Sequence, residues 1–232
     1  MYALTAGLDG KIYSGSYDQT IRVWSSASGA HLQTLEGHAA TVWALAVGLD
    51  GKVYSGSSDH TVRVWSGDDG THLQTLVGHT LCVNALAVGK DGAIYSGSED
   101  CTIRVWSGED GTHLRTLWGH TGRVLSLAVG LDGKVYSGSE DTTVRVWSPD
   151  DGALLQTLEG HGNAVWVVAV GLDGKVFSGS RDQTIKVWSG GTGALLQTIN
   201  VGGMAVLSLE FGRDGTLYSA QDRNSILMWN QR

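Results

Sequence analysis

Histidine, serine and aspartate are the side chains of this sequence that could perform chemistry, and they recur together at fixed spacings. In one set, Ser55 follows His38 by 17 residues and Asp59 follows Ser55 by 4. These are the residues of a hydrolytic triad, in which serine attacks, histidine moves the proton and aspartate orients the imidazole. The equivalent sets are His79, Ser96 and Asp100; His120, Ser137 and Asp141; and His161, Ser178 and Asp182.

The recurrence of this set argues against catalysis. An active site needs one nucleophile and one base, whereas the same three residue types stand here in four consecutive stretches. The sequence shows no second, non-repeating set of acid, base and nucleophile that stands out. We therefore predict that the chain is not an enzyme and that the sets serve structural hydrogen bonding.

The serine and the aspartate of each set belong to a segment of thirteen residues that the chain repeats six times. It reads VYSGSSDHTVRVW at 53–65, and the closing tryptophans fall at positions 24, 65, 106, 147, 188 and 229, a constant spacing of 41. A fixed period of about 20 to 50 residues indicates a repeat architecture. Alternating apolar residues, SGSxD turns and an Asp-Gly pair in each period predict four short antiparallel strands and no helix. Such a sheet cannot bury both faces alone, so neighbouring sheets must stack.

The Gly-His pair, the Asp-Gly hairpin and the SGSxDxTIRVW segment together resemble the WD-repeat β-propellers, over essentially the whole chain. The resemblance implies an all-β propeller of six antiparallel four-stranded blades. One departure is systematic, because the residue after each tryptophan, usually aspartate in that family, is serine at 25, 66, 107, 148 and 189 and asparagine at 230.

The resemblance also implies a role for the recurrent sets. In that family a histidine, a serine or threonine, an aspartate and the tryptophan of a blade form a buried hydrogen-bonded tetrad. The tryptophans that complete the four sets are Trp65, Trp106, Trp147 and Trp188. The first repeat has Ser14, Asp18 and Trp24, but the sequence contains no histidine at the equivalent tetrad position before them. In the sixth, the histidine position is Gly202, the aspartate position is Arg223, and Asp222 lies one place early.

We expect one WD-repeat domain over residues 1–232, with units of approximately 1–37, 38–78, 79–119, 120–160, 161–201 and 202–232. Six periods of 41 would need 246 residues, whereas the chain has 232, so we expect the last blade to lack its outer strand. A three-stranded last blade could close the propeller, another copy could lend a strand to the open edge, or the chain could be part of a longer propeller.

Propellers of this family bind through the face that carries the loops into the inner strands and the turns before the SGSxD aspartates. Several positions there vary between repeats while their neighbours stay nearly constant. This variation indicates that the fold does not require a particular side chain at these positions. The resulting candidates are Tyr2, Tyr17, Trp43, Asn84, Glu99, Arg123, Leu125, Glu140, Trp166 and Arg181. Large aromatics beside a guanidinium are typical of protein-binding hot spots. Alternatively, Trp43 and Trp166 fill a central channel or cover its rim.

Composition limits the partners. The net charge of −7, with acidic residues spread evenly, argues against a nucleic-acid partner. The sequence has neither a long apolar stretch for a membrane span nor a signal peptide, so we expect a cytoplasmic protein. Cys82 and Cys101 take non-equivalent places in one repeat, which favours reduced thiols over a disulfide framework.

The predicted function is a non-enzymatic scaffold for a protein or peptide, with self-association through the open edge of the last blade as a further option. We expect no cofactor and no metal, because turn chemistry already explains the hairpin aspartates that could otherwise suggest calcium. Two alternatives stay open: a designed or truncated propeller fragment that serves folding or assembly, and a repeated small-ligand binder, such as a carbohydrate-binding propeller.

Overall fold

The computed structural model describes residues 2–212, 215–221 and 225–229, and within them the chain is built entirely of short antiparallel strands. The strands form six sheets, five of four strands and one of three, among the described residues. Within each sheet the strands follow one another in chain order. The expectation of an all-β chain, with a last sheet one strand short, is confirmed.

The contacts divide the chain into a first compact unit that ends at Trp118 and a second that begins at Gly119. The first unit holds sheets 1 to 3. Sheet 1 contains β1 (Ala3–Ala6), β2 (Lys11–Gly15), β3 (Ile21–Ser25) and β4 (His31–Leu35). Sheet 2 contains β5 (Val42–Val47), β6 (Val53–Ser57), β7 (Thr61–Trp65) and β8 (His72–Val77). Sheet 3 contains β9 (Val83–Val88), β10 (Ile94–Ser98), β11 (Ile103–Trp106) and β12 (His113–Leu117).

The second unit holds sheets 4 to 6. Sheet 4 contains β13 (Val124–Val129), β14 (Val135–Ser139), β15 (Val144–Trp147) and β16 (Leu154–Leu158). Sheet 5 contains β17 (Val165–Val170), β18 (Lys175–Ser180), β19 (Thr184–Ser189) and β20 (Leu195–Asn200). Sheet 6 contains β21 (Val206–Phe211), β22 (Leu217–Gln221) and β23 (Ser225–Trp229).

Within each unit, the apolar face of one sheet packs on the next sheet along the chain. Between sheets 1 and 2, Ile21 and Val23 meet Val42, Val53 and Trp65 in one buried cluster. Equivalent residues make the clusters between sheets 2 and 3, 4 and 5, and 5 and 6. A single repeat thus acquires a core only through its neighbours, as the sequence period predicts.

Glycine at one position of the second strand allows this close stacking. A Cβ atom on Gly138 would lie 2.8 Å from a methyl carbon of Val165 in the next sheet, and one on Gly56 would lie 2.7 Å from the same carbon of Val83. The turn before the third strand also follows one pattern, because Gln19, His60, Cys101, Thr142 and Gln183 all take positive φ there. The repeats therefore share backbone geometry as well as sequence.

Candidate functional site

Each of the four recurrent sets is brought together by hydrogen bonds. In sheet 2, His38 Nδ1 lies 2.7 Å from Asp59 Oδ2, and His38 Nε2 lies 2.7 Å from Ser55 Oγ. Trp65 Nε1 donates to Ser55 Oγ over 2.8 Å. Since a carboxylate only accepts, the imidazole donates from Nδ1 and accepts the serine proton at Nε2.

The same contacts recur, with equal geometry, in three more sheets. Sheet 3 joins His79 to Asp100 over 2.8 Å, with Ser96 and Trp106 completing the set. In sheet 4, His120 lies 2.7 Å from Asp141, and Ser137 and Trp147 complete the set. Sheet 5 joins His161 to Asp182 over 2.8 Å, with Ser178 and Trp188.

The aspartates of the sets are ionised acceptors. Asp59 Oδ2 also accepts the backbone N–H of Ala39, and Oδ1 accepts both the N–H and the hydroxyl of Thr61. Burial raises the pKa of Asp59, but the hydrogen bonds from His38 and Thr61 outweigh it and hold the pKa far below its usual range. In sheet 5, burial lowers the pKa of His161 despite the adjacent Asp182, so its imidazole stays neutral.

This geometry differs from that of a working triad. Each serine hydroxyl is fully buried, and its oxygen already accepts the indole N–H, so no substrate carbonyl can reach it. The arrangement instead ties the second strand, the third strand and the loop before the first strand into one network. We propose that the four sets are structural tetrads that brace their sheets.

The first and last sheets carry partial sets. Trp24 donates to Ser14 over 2.8 Å, while the exposed Asp18 pairs with Arg22. In sheet 6, Trp229 donates to Ser219 over 2.9 Å. The predictions about Asp222 and Arg223 lie outside the described residues.

A second group of residues is organised by a β-bulge at the start of the inner strands. In sheet 2, Val42 pairs with Ser57 and Ala44 with Gly56, so that Trp43 is the extra residue between them. The same shift makes Asn84, Leu125, Trp166 and Leu207 the extra residues of their strands. A bulge turns a side chain away from the regular alternation of a strand and recurs beside functional sites.

Backbone hydrogen bonds bring a further candidate beside each bulge. The N–H groups of Ser58, Glu99, Glu140 and Arg181 donate to the carbonyls of Thr41, Cys82, Arg123 and Ala164. The residue before each tetrad aspartate is therefore held next to the loop that leads into the inner strand. Within each of these sheets, the structure thus places side by side positions that the sequence shows only to vary between repeats.

In the first unit, we call the candidates together the first-unit surface (Tyr2, Tyr17, Trp43, Asn84 and Glu99), and contacts connect all of them except Tyr17. The exposed rings of Tyr2 and Trp43 lie 4.3 Å apart. Trp43 Nε1 donates to Ser58 Oγ over 2.7 Å, and Ser58 Oγ lies 3.3 Å from Cys82 Sγ. Cys82 Sγ donates to Asn84 Oδ1, while the buried Asn84 Nδ2 has no hydrogen-bond partner. Tyr17 is exposed apart from this chain of contacts.

In the second unit, the candidates form the second-unit surface (Arg123, Leu125, Glu140, Trp166 and Arg181). Arg123 holds Glu140 with two hydrogen bonds, Nε to Oε2 at 2.8 Å and a terminal nitrogen to Oε1 at 3.0 Å. This contact lowers the pKa of Glu140. Trp166 and Arg181 are exposed. The surface therefore combines an indole, a guanidinium and a neutralised ion pair.

Clefts between sheets are a different kind of concavity. One of about 510 Å³ lies between sheets 4 and 5, lined by Leu131, Tyr136, Asp173 and Lys175 among others. A repeat-equivalent cleft of about 310 Å³ lies between sheets 2 and 3 and is lined by Lys52 and Tyr54 among others. Their lysines are already paired, since Lys52 Nζ contacts Asp50 and the carbonyl of Gly108, and Lys175 contacts Asp173. We assign no ligand to these clefts.

Metal-ligating side chains do not cluster in the described part of the chain. Its histidine, cysteine, aspartate and glutamate side chains form no group of three or more that could hold a metal ion. It also contains no helix long and apolar enough to cross a membrane. Cys82 and Cys101 are not joined by a disulfide bond.

Comparison with known proteins gives the family. The model of the family "WD domain, G-beta repeat" matches residues 2–25, 29–66, 70–107, 111–148 and 152–189, which is well over half of the chain. The chain therefore belongs to the WD40 repeat family, whose members generally serve as protein-interaction scaffolds. Each full match begins before an outer strand and ends after the tryptophan, so that one repeat spans two sheets.

The structural comparison agrees. The chain is similar to the WD40 β-propeller domain of Doa1, with a TM-score of 0.89 and 26% identity over 99% of this chain and 78% of that one. No curated protein matches the sequence. The fold is thus a β-propeller of six blades, as the sequence resemblance implied, and the last blade has three strands among the described residues.

Proposed function

We propose that this protein is a non-enzymatic interaction module that binds a protein or peptide through the first-unit and second-unit surfaces, which include the residues at its β-bulges. The observation that carries the proposal is the exposed pair of Tyr2 and Trp43, whose rings lie 4.3 Å apart on the first-unit surface. The hydrogen bond from Trp43 to Ser58 fixes the indole before any partner arrives. Less side-chain entropy is then lost on binding.

The variable side chains around this pair favour a protein partner over a repeated small ligand. A repeated ligand would need the same side chains in each sheet, whereas the bulge residues are Trp43, Asn84, Leu125 and Trp166. The net charge of −7 supports a further part of the proposal, that the protein binds no nucleic acid. The reduced cysteines support a cytoplasmic location. We also propose that the protein does not bind membranes. Self-association belongs to it too, because β23 pairs only with β22 among the described strands.

Selection of peptides from a displayed random library on the wild-type protein would test the binding surface. Selected peptides should lose about tenfold or more in affinity for Trp43→Ala, because a central aromatic anchor carries a large share of binding energy. Trp166→Ala tests the second-unit surface in the same way.

The matched control is Trp118→Ala, which removes an equally large exposed indole that follows outer strand β12. Its affinity for the selected peptides should not change. Failure to select any peptide, or equal binding by Trp43→Ala and wild type, would refute this surface as the binding site.

A further inference from the structure

Arg181 is the member of the second-unit surface whose charge the described part of the chain leaves unmatched. Its side chain is exposed and takes part in no hydrogen bond or ion pair among the described residues. The other guanidinium of that surface, on Arg123, holds Glu140 with two hydrogen bonds of 2.8 and 3.0 Å. A guanidinium carries five N–H donors, so Arg181 offers a complete anion-binding group to an outside partner.

The carboxylate next to Arg181 in the sequence is already occupied. Asp182 Oδ2 accepts from His161 Nδ1 over 2.8 Å and from the backbone N–H of Gly162 over 2.9 Å. Asp182 Oδ1 accepts both the backbone N–H and the hydroxyl of Thr184. Since these bonds hold the carboxylate in the tetrad, a counter-charge for Arg181 has to come from a binding partner.

The backbone places Arg181 beside an exposed indole. The N–H of Arg181 donates to the carbonyl of Ala164 over 3.0 Å, and Trp166 is the extra residue of the bulge that follows. The same two positions of sheet 2 hold Ser58 and Trp43, whose side chains meet over 2.7 Å. Because Trp166 is 42% exposed, an indole and a guanidinium adjoin on one accessible surface.

These two groups suit a defined combination of side chains in a partner. A planar guanidinium matches a carboxylate with two parallel hydrogen bonds. The indole beside it gives an apolar surface on which an apolar or aromatic side chain packs. A nucleic acid would also supply anions, but the net charge of −7 opposes its approach.

We propose that the second-unit surface binds an acidic peptide segment, in which an aspartate or glutamate pairs with Arg181 and an adjoining apolar side chain packs on Trp166. This binding rests on the proposed function of the molecule as an interaction module and adds the chemistry of the partner. The first-unit surface has no cationic residue among its five members, so it offers no equivalent partner for a carboxylate.

A double-mutant cycle tests the contact with Arg181. Peptides are selected from a displayed random library on the wild-type protein, and those that bind Trp166→Ala more weakly should contain an acidic residue next to an apolar one. Changing that acid to its amide should lower affinity for the wild-type protein about tenfold or more, because a charge-assisted contact is lost. The same change should have little effect on affinity for Arg181→Ala.

The matched control is Lys90→Ala, which removes an exposed positive charge in the turn after β9, at the other end of an inner strand from the bulges. Its affinity should respond to the change of acid to amide as the wild type does. Alanine at position 181 keeps the backbone N–H that holds the turn, so the variant should fold normally.

Two results would overturn the acidic partner and leave the proposed function standing. In one, the peptides weakened by Trp166→Ala carry no acid, or loss of the acid lowers affinity equally for wild type and Arg181→Ala. In the other, the selected peptides respond to Trp43→Ala alone. Failure to select any peptide would refute both the acidic partner and the proposed function.

Discussion

At the residue scale, one carboxylate shows how the tetrads act. Asp141 Oδ2 accepts from His120 Nδ1 over 2.7 Å and from the backbone of Thr121, while Oδ1 accepts twice from Thr143. These four donors lie on two separate parts of the chain, His120 and Thr121 before the first strand and Thr143 after the turn. One side chain therefore links two parts of the chain that a small sheet would otherwise leave unconnected.

Replacing Asp141 with alanine should lower the free energy of unfolding by about 1–3 kcal/mol, because the buried His120 would lose its acceptor. Thermal unfolding followed by circular dichroism measures the change. The control is Asp132→Ala, since Asp132 is an exposed partner of Lys134 and its loss should cost about 1 kcal/mol or less. An Asp141→Ala protein that melts with the wild type would refute the bracing role.

At the scale of the elements, the close approach of consecutive sheets depends on a missing side chain. Gly138 in β14 faces Val165 and Val168 of the next sheet at distances that leave no room for a methyl group. The sequence repeats this glycine five times but does not itself show what lies opposite it. Only the stacking of β14 on β17 gives the reason for glycine there.

Gly138→Ala should lower the free energy of unfolding by about 1–3 kcal/mol, because overpacking forces sheets 4 and 5 apart. Denaturant unfolding provides the measurement. In the same unit, Gly162→Ala is the matched control, since its Cβ would meet only the Cβ of Asp182, at 3.9 Å, and should change stability little. Equal effects of the two substitutions would show that the sheets do not require the glycine.

At the scale of the whole molecule, repetition multiplies a small electrostatic effect. Four tetrad aspartates have lowered pKa values, although burial opposes the shift in each, and the pKa of His161 is lowered by burial. A lowered pKa means that the unfolded chain binds more protons than the folded chain as the solution is acidified. All five groups therefore act in the same direction.

Stability should decline as pH falls below about 6.5, where His161 of the unfolded chain binds a proton and becomes charged. It should decline more steeply below about 3.8, where the aspartates of the unfolded chain bind protons and become neutral. Denaturant unfolding at a series of pH values tests this dependence. Asp182→Asn should flatten the acidic part of the curve, and stability that stays constant from neutral pH to pH 3 would contradict the linkage.

The sequence by itself determined the repeat, the strand order and the shortened last sheet, and it predicted the members of each proposed tetrad. It could do so because a period of 41 residues shows the same local pattern six times, and turn residues and alternation are local properties. The candidate surface could be predicted only as a set of variable positions, Trp43 and Arg123 among them.

Tertiary structure alone decided how those positions meet. The bulge that makes Trp43 the extra residue of β5 depends on its register against β6, and the pairing of Tyr2 with Trp43 depends on the packing of sheet 1 on sheet 2. Burial is a property of what lies opposite a side chain, and the chain pattern does not specify that neighbour.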